Sequence, residues 1–338
     1  MNKMHKIILG LLFSILISCG TGKTSEVSQD ALIEKYAMEI KADDLKEHLY
    51  LLSSDILEGR KTGEKGQKIA VNYLTAYYEH LKLKAPEAYR DYQQTVPEAF
   101  FNGKSAGDSQ NVLAYIEGSE FPNEVVVISA HYDHLGIKGD DVYNGADDNA
   151  SGTSAVMEIA QSFQMAKNQG YGPKRSILFL HLTGEELGLF GSKYYIEHPV
   201  FSLDSTLVDL NIDMVGRIDS KHETDKKYVY LIGSDRLSAD LHKLSEETNK
   251  KFTHLKLDYS YNEQNDPYQY YTRSDHFNFA NQNIPVIFYF NGTHADYHKV
   301  TDTADKIDFD LLSLRAQLVF DTAWEIANRE TRLILDSE

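Results

Sequence analysis

Apolar, β-branched runs alternate with helical patterns along this chain, and the runs end in acids and imidazoles. Residues 125–130 (VVVISA) are largely apolar and lead into His131-Tyr132-Asp133-His134. Such a run suits a strand buried on both faces of a parallel sheet. Residues 151–166 follow, with Val156, Ile159, Ala160 and Phe163 at helical spacing. The same reading predicts strands over 176–182, 207–212, 228–232 and 284–290. It predicts helices over 42–52, 66–83, about 186–196, 238–250 and 309–327. Alternation on this scale implies an α/β three-layer sandwich, with a mostly parallel central sheet flanked by helices. Ligands of such sheets gather at the carboxyl ends of the strands.

The first residues read as an address. Lys3 and Lys6 precede an apolar run over 7–17, the pattern of an export signal that is too short for a membrane span. The run ends Leu16-Ile17-Ser18-Cys19-Gly20, which resembles the bacterial lipobox, where the Cys becomes the lipidated first residue of the mature protein. The expected organisation is a lipoprotein signal peptide over 1–18, a flexible tether over 19–30 and a single domain over 31–338. An exported protein is expected, lipid-anchored through Cys19 to a bacterial membrane and facing the periplasm or the cell surface.

The 338 residues carry 51 acidic and 34 basic side chains, for a net charge of -17. That balance excludes nucleic acid as a partner, because phosphate binding needs clustered positive charge. Cys19 is the only Cys, so a disulfide within the chain and a Cys-rich zinc module are both excluded. A metal site here must use His and carboxylate ligands.

Five segments carry such groups. On an extended strand His131 and Asp133 point to one face, an arrangement that suits metal binding and equally an ordinary polar loop. Gly145-Ala146-Asp147-Asp148-Asn149-Ala150-Ser151-Gly152 opens a helix, either as a capped turn or as a carboxylate held at the sheet mouth. After residues 176–182 come Glu185 and Glu186. The helix dipole alone accounts for acids there, yet paired carboxylates also suit one metal ligand beside one general base. The strand at 207–212 ends at Asp213, and the strand at 284–290 is followed by Tyr297-His298.

Taken together, SAHYDHLG, YNGADDNASG, LTGEELGLFGS, NIDMVGR and DYHKVTDTADKID resemble the successive motifs of the M28 family of zinc aminopeptidases. The segment Asp55-Ile56-Leu57-Glu58-Gly59-Arg60 resembles the lead-in of its bacterial members. The resemblance covers almost all of residues 40–330. It implies two zinc ions sharing Asp148, with His131 and Asp213 on one and Glu186 and His298 on the other. It implies Glu185 as general base, Asp133 as the residue orienting His131, and a cis peptide bond between Asp148 and Asn149. Tyr297 becomes a candidate oxyanion donor. Ser274-Asp275-His276 also matches a family segment, with Asp275 and His276 as cleft wall or support. The stretch 90–111 leaves no room for the protease-associated insert that some members carry.

The expected activity is release of amino-terminal residues from peptides. Two rivals share the fold: a glutaminyl cyclase-like acyltransferase with a single zinc, and a carboxypeptidase. The latter would need a basic residue for the substrate carboxylate, for which Arg217 and Arg273 are the nearby candidates in sequence. A third reading is a catalytically inactive surface lipoprotein, which an intact set of ligands opposes. Aromatic residues at 259, 261, 268, 270, 271, 277, 279 and 289 suggest either a rim for the substrate side chain or simple packing.

Overall fold

The computed structural model describes residues 27–336. Three helices come first: α1 (Gln29–Ala37), α2 (Ala42–Leu52) and α3 (Lys65–Leu81). Strands β1 (Gln93–Val96), β2 (Ser109–Ile116) and β3 (Phe121–His131) follow, then a hairpin of β4 (Gly136–Lys138) and β5 (Asp141–Tyr143). Next come α4 (Gly152–Asn168), β6 (Arg175–Leu182), α5 (Phe190–Glu197) and β7 (Thr206–Ile212). The chain continues through β8 (Tyr228–Ile232), α6 (Ala239–Lys251), β9 (Lys256–Asp258), α7 (His276–Ala280) and β10 (Val286–Phe290) to α8 (Phe309–Asn328).

Eight strands form one sheet in the order β1-β2-β6-β3-β7-β10-β8-β9. The central four, β6, β3, β7 and β10, are parallel, while β2 and β8 run antiparallel to them on either side. Alternate residues of β3 serve different layers. Val126, Ile128 and Ala130 join the core containing α4 and α8, whereas Val125 and Val127 join the one containing Tyr195 of α5 and Phe279 of α7. A helix layer thus covers each face, as the apolar run required. Four strands therefore deliver their carboxyl ends to one edge.

Helices α1 and α7 and strands β1, β2, β4, β5 and β9 have no counterpart in the sequence expectation, and helix α5 starts later than expected. Helix α1 already begins at Gln29, inside the expected tether, because the Ser28 hydroxyl accepts the Ala31 amide at 3.3 Å and caps it. Leu32, Ile33 and Tyr36 of α1 are buried in the core, so this helix packs as part of the domain. Helix α5 starts at Phe190 rather than near 186. Gly184, Gly188 and Leu189 have φ of 68°, 120° and 59°, so the chain makes a left-handed turn before the helix can form. Glu185 and Glu186 lie in that turn, which removes the helix-dipole account of them.

Cys19 and the leader lie outside the described residues. Among those described, no helix is long and apolar enough to cross a membrane.

Candidate metal centre

Strand ends and the turns after them bring six of the singled-out side chains together. His131 is the last residue of β3, Asp213 follows β7, and Glu185 and Glu186 sit in the turn after β6. Asp148 comes from the loop before α4 and His298 from the loop after β10. His131 Nε2 lies 3.3 Å from both Asp148 Oδ1 and Asp213 Oδ1. His298 Nε2 lies 3.0 Å from Asp148 Oδ2 and 3.3 Å from Glu186 Oε2. Asp148 thus faces one imidazole with each oxygen. Glu185 is not a member of either group: its Oε2 stands 4.0 Å from His131 Nε2.

The donor atoms of His131, Asp148 and Asp213 all lie within 4.8 Å of one another, and so do those of His134, Asp148 and Glu186. The two groups share Asp148. The donors are imidazole nitrogens and carboxylate oxygens, which suit zinc and other borderline divalent ions. Among the described residues, Glu186 Oε1 and both ring nitrogens of His134 are buried without a hydrogen-bond partner. Nitrogen and oxygen there are 2.8 Å apart but not aligned for a hydrogen bond. Buried polar atoms left open in this way fit a site completed by cations.

The supporting contacts explain why these side chains aim inward. Asn149 accepts the amides of Gly152 and Met214 and donates to Ile212 O, tying the Asp148 loop to the end of β7. Asp302 accepts the amides of Asp147 and Asp148. Asp147 itself turns away, accepting the Gly216 amide and facing His294. The Asp148–Asn149 peptide bond is cis. Ser274 donates to Asp213 Oδ2 at 2.8 Å. Arg60 is buried and its guanidinium donates to the carbonyls of Leu52, Tyr132, Asn144 and Gly145, clamping the end of β3 to the Asp148 loop.

Asp133 differs from expectation in how it acts. Its carboxylate lies 3.8 Å from His131 Nδ1, beyond a hydrogen bond, whereas its backbone carbonyl lies 3.1 Å from that nitrogen. The main chain therefore fixes the ring, leaving Nε2 to face the carboxylates. The Asp133 side chain instead accepts Thr62 Oγ1 at 2.7 Å and the Glu185 amide at 3.2 Å.

Electrostatics follow from burial against neighbouring charge. Burial pushes Glu185 well above the usual carboxylate range and Asp133 up to about 6. Burial would also raise Asp148, but the imidazoles of His131 and His298 hold it well below its ordinary value. His131 and His298 show the reverse balance. Burial lowers them, yet the facing carboxylates raise His131 well above its ordinary value and His298 to about 10. Without cations, the cluster is held together by protons.

A small, half-open cleft lies beside Asp148, Glu185 and Asp213. Tyr297 lines it and stacks on His298 with ring centroids 3.9 Å apart. Among the aromatic residues noted in sequence, Tyr270 lines the cleft, while Phe279 and Tyr289 are buried in the cores. Asp275 and His276 are buried. Asp275 accepts the Ser192 hydroxyl, and His276 stacks behind Phe288, so His276 does not form cleft wall. Arg217 pairs with Asp296 at 3.0 Å, whereas Arg273 reaches the cleft.

The model of peptidase family M28 matches residues 111–323, more than half of the chain. The aminopeptidase YwaD of Bacillus subtilis is 33% identical over 110 residues, which cover 32% of this chain and 22% of that protein. The chain spans about half or less of the length of other curated relatives. Among solved structures, the Legionella pneumophila LapA aminopeptidase superposes with a TM-score of 0.70 at 22% identity, covering 90% of this chain and 76% of that one. The Porphyromonas gingivalis glutaminyl cyclase superposes with a TM-score of 0.63 at 17% identity, covering 84% and 97%.

Proposed function

The chain belongs to peptidase family M28, and from that premise we propose that it is a metal-dependent exopeptidase that releases amino-terminal residues from peptides. The observation that carries this reading is the pair of donor groups sharing Asp148, with Glu185 beside them and outside both. His131, Asp148 and Asp213 would hold one zinc ion, and Asp148, Glu186 and His298 the other, with His134 against the second group. Bound divalent ions supply Lewis acidity to a water and to the scissile carbonyl.

Glu185 takes the proton of the attacking water and returns it to the leaving amine. Burial suits it to that task, because a carboxylate with a raised pKa accepts a proton more readily near neutral pH. Asp133 fixes Glu185 through its backbone amide. The hydroxyl of Tyr297, on the cleft wall, is the donor available to the developing oxyanion. The apolar part of the cleft receives the side chain of the terminal residue.

The test is a panel of amino-terminal, carboxy-terminal and blocked peptides, run with and without chelator, together with an amino-terminal glutamine peptide. Chelator-sensitive release of the first residue supports the reading. Cyclisation of the glutamine peptide without hydrolysis, with one metal ion per chain, would assign the chain to the cyclase chemistry.

We further infer export and lipid anchoring through Cys19, motivated by the charged start, the apolar run and the lone Cys at its end. More than one acyl chain is needed for stable anchoring. Cys19→Ala should then release the protein into the soluble fraction, and unchanged membrane fractionation of the variant would overturn the idea.

A further inference from the structure

The cleft beside the carboxylate cluster carries one arginine on its wall, and among the described residues that arginine has no acid partner. Arg273 lines the cleft together with Asp148, Glu185 and Asp213. Its guanidinium lies 4.9 Å from the Tyr270 ring centroid, and its Nη2 is 3.5 Å from Tyr297 Oη. These aromatic contacts hold the guanidinium while leaving most of its donors free.

The other arginines among the described residues are committed. Arg90, Arg175, Arg217, Arg329 and Arg332 each lie within 4.0 Å of an acid of this chain. Arg60, Arg236 and Arg315 donate to backbone carbonyls. In a chain with 51 acidic and 34 basic side chains, a guanidinium left without a carboxylate beside the reacting groups calls for a ligand. Its fork of donors matches a carboxylate bidentately. The base of the cleft, from Met214, Phe288 and Phe290, would take the methylenes that carry such a group.

We propose that Arg273 is a specificity-determining residue that binds a carboxylate of the substrate. The inference rests on the peptidase reading above. Two parts of a peptide can bring that carboxylate: the side chain of an amino-terminal Glu or Asp, or the free carboxyl end of a dipeptide.

Two substrate pairs separate these sources in the zinc-loaded full chain. One pair is Glu against Gln as the first residue of otherwise identical peptide amides. The other is leucylglycine against its amide. The expected result is a ratio of kcat/KM, acid over amide, of roughly tenfold to hundredfold in one pair, carried by KM. The pair that shows it identifies the source. In R273Q that ratio should fall to near one, and R273K should recover part of it. A wild-type ratio near one in both pairs overturns the proposal. So does a ratio unchanged in R273Q, or an equal loss of kcat on acid and amide, which would put Arg273 at the oxyanion instead. Calorimetric titration with L-glutamate, L-glutamine, glycylglycine and glycylglycine amide gives a readout that needs no turnover. If no peptide is hydrolysed, the peptidase reading fails. A preference for the acid over its amide, abolished in R273Q, would still support the carboxylate site, and its absence would overturn it.

Discussion

Glu185 and Glu186 are neighbours in the chain and face different nitrogens: Glu185 Oε2 lies 4.0 Å from His131 Nε2, and Glu186 Oε1 lies 2.8 Å from His134 Nδ1. Two side chains of identical chemistry are thus sorted by the turn after β6, one into a donor group and one beside it.

That sorting predicts different losses. Glu185→Gln keeps size and hydrogen bonding but cannot take a proton. Turnover should fall by about 10²–10⁴, with metal content and substrate affinity retained. Glu186→Gln should lose metal first, and excess zinc should restore part of the activity. Elemental analysis and peptide turnover of both variants check this. Metal loss in Glu185→Gln with two ions kept in Glu186→Gln would reverse the roles, and full turnover in both would remove them.

Protons and cations compete for the same cluster. The carboxylates hold His298 protonated up to about 10 in the absence of metal, so a cation must displace that proton to use the ring. Zinc affinity should therefore rise with pH between 6 and 8, by up to about tenfold per unit for each proton displaced. Removing metal should also lower the melting temperature, because binding then no longer stabilises the fold. Chelator competition at several pH values, with a melting curve for each form, measures both. A pH-independent affinity would mean that no ring proton is displaced when the metal binds.

Much of this centre was legible because a parallel sheet converts sequence order into place. Apolar runs announced β3, β6 and β7, and the polar residue after each had to lie at one edge. What escaped depends on direction after the strand has ended. His134 follows Asp133 where the two-residue alternation no longer holds, so its approach to Glu186 could not be read from spacing. Asp302 acts on Asp147 and Asp148 from 154 or more positions away. Asp133 looked like the partner of His131 because side chains alternate, yet its carbonyl makes the contact. Tyrosines in the long segment after β9 have no periodicity to say which of them meets the cleft, and Tyr270 does so through the fold of that loop.

Arg60 gives the 55–60 segment a physical role. Its side chain is buried, with burial pushing it down to about 10, and its donors satisfy four carbonyls on both sides of the site. Arg60→Met takes the donor from the carbonyls of Leu52, Tyr132 and Asn144, while Gly145 O keeps the Ala150 amide, at about 1–3 kcal/mol for each one stranded. A loss of roughly 4 kcal/mol or more is expected, together with weakened metal binding as the Asp148 loop loosens. Lys supplies fewer donors without the planar fork, so Arg60→Lys should recover only part. Denaturant unfolding of the zinc-loaded variants tests this, and a loss below about 1 kcal/mol for Arg60→Met would contradict it.

Asp209 lies on β7 behind the site, fully buried, with one oxygen accepting the Ser129 hydroxyl at 2.7 Å and the other without a partner among the described residues. Burial pushes its pKa up to about 8. The unfolded chain ionises this group near 3.9, so the fold prefers the neutral acid. Stability from this preference is fully present below the unfolded value. It declines as pH rises through about 8, by at most about 1.4 kcal/mol per pH unit. Asp209→Asn keeps an acceptor for Ser129 and cannot ionise. Relative to wild type, the variant should therefore gain stability steadily from pH 5 to pH 8 and hold a constant advantage above that. Urea unfolding of both zinc-loaded proteins at pH 5, 6, 7, 8 and 9 gives the difference directly. A difference that does not change with pH would mean that Asp209 is ionised in the folded protein across the whole range.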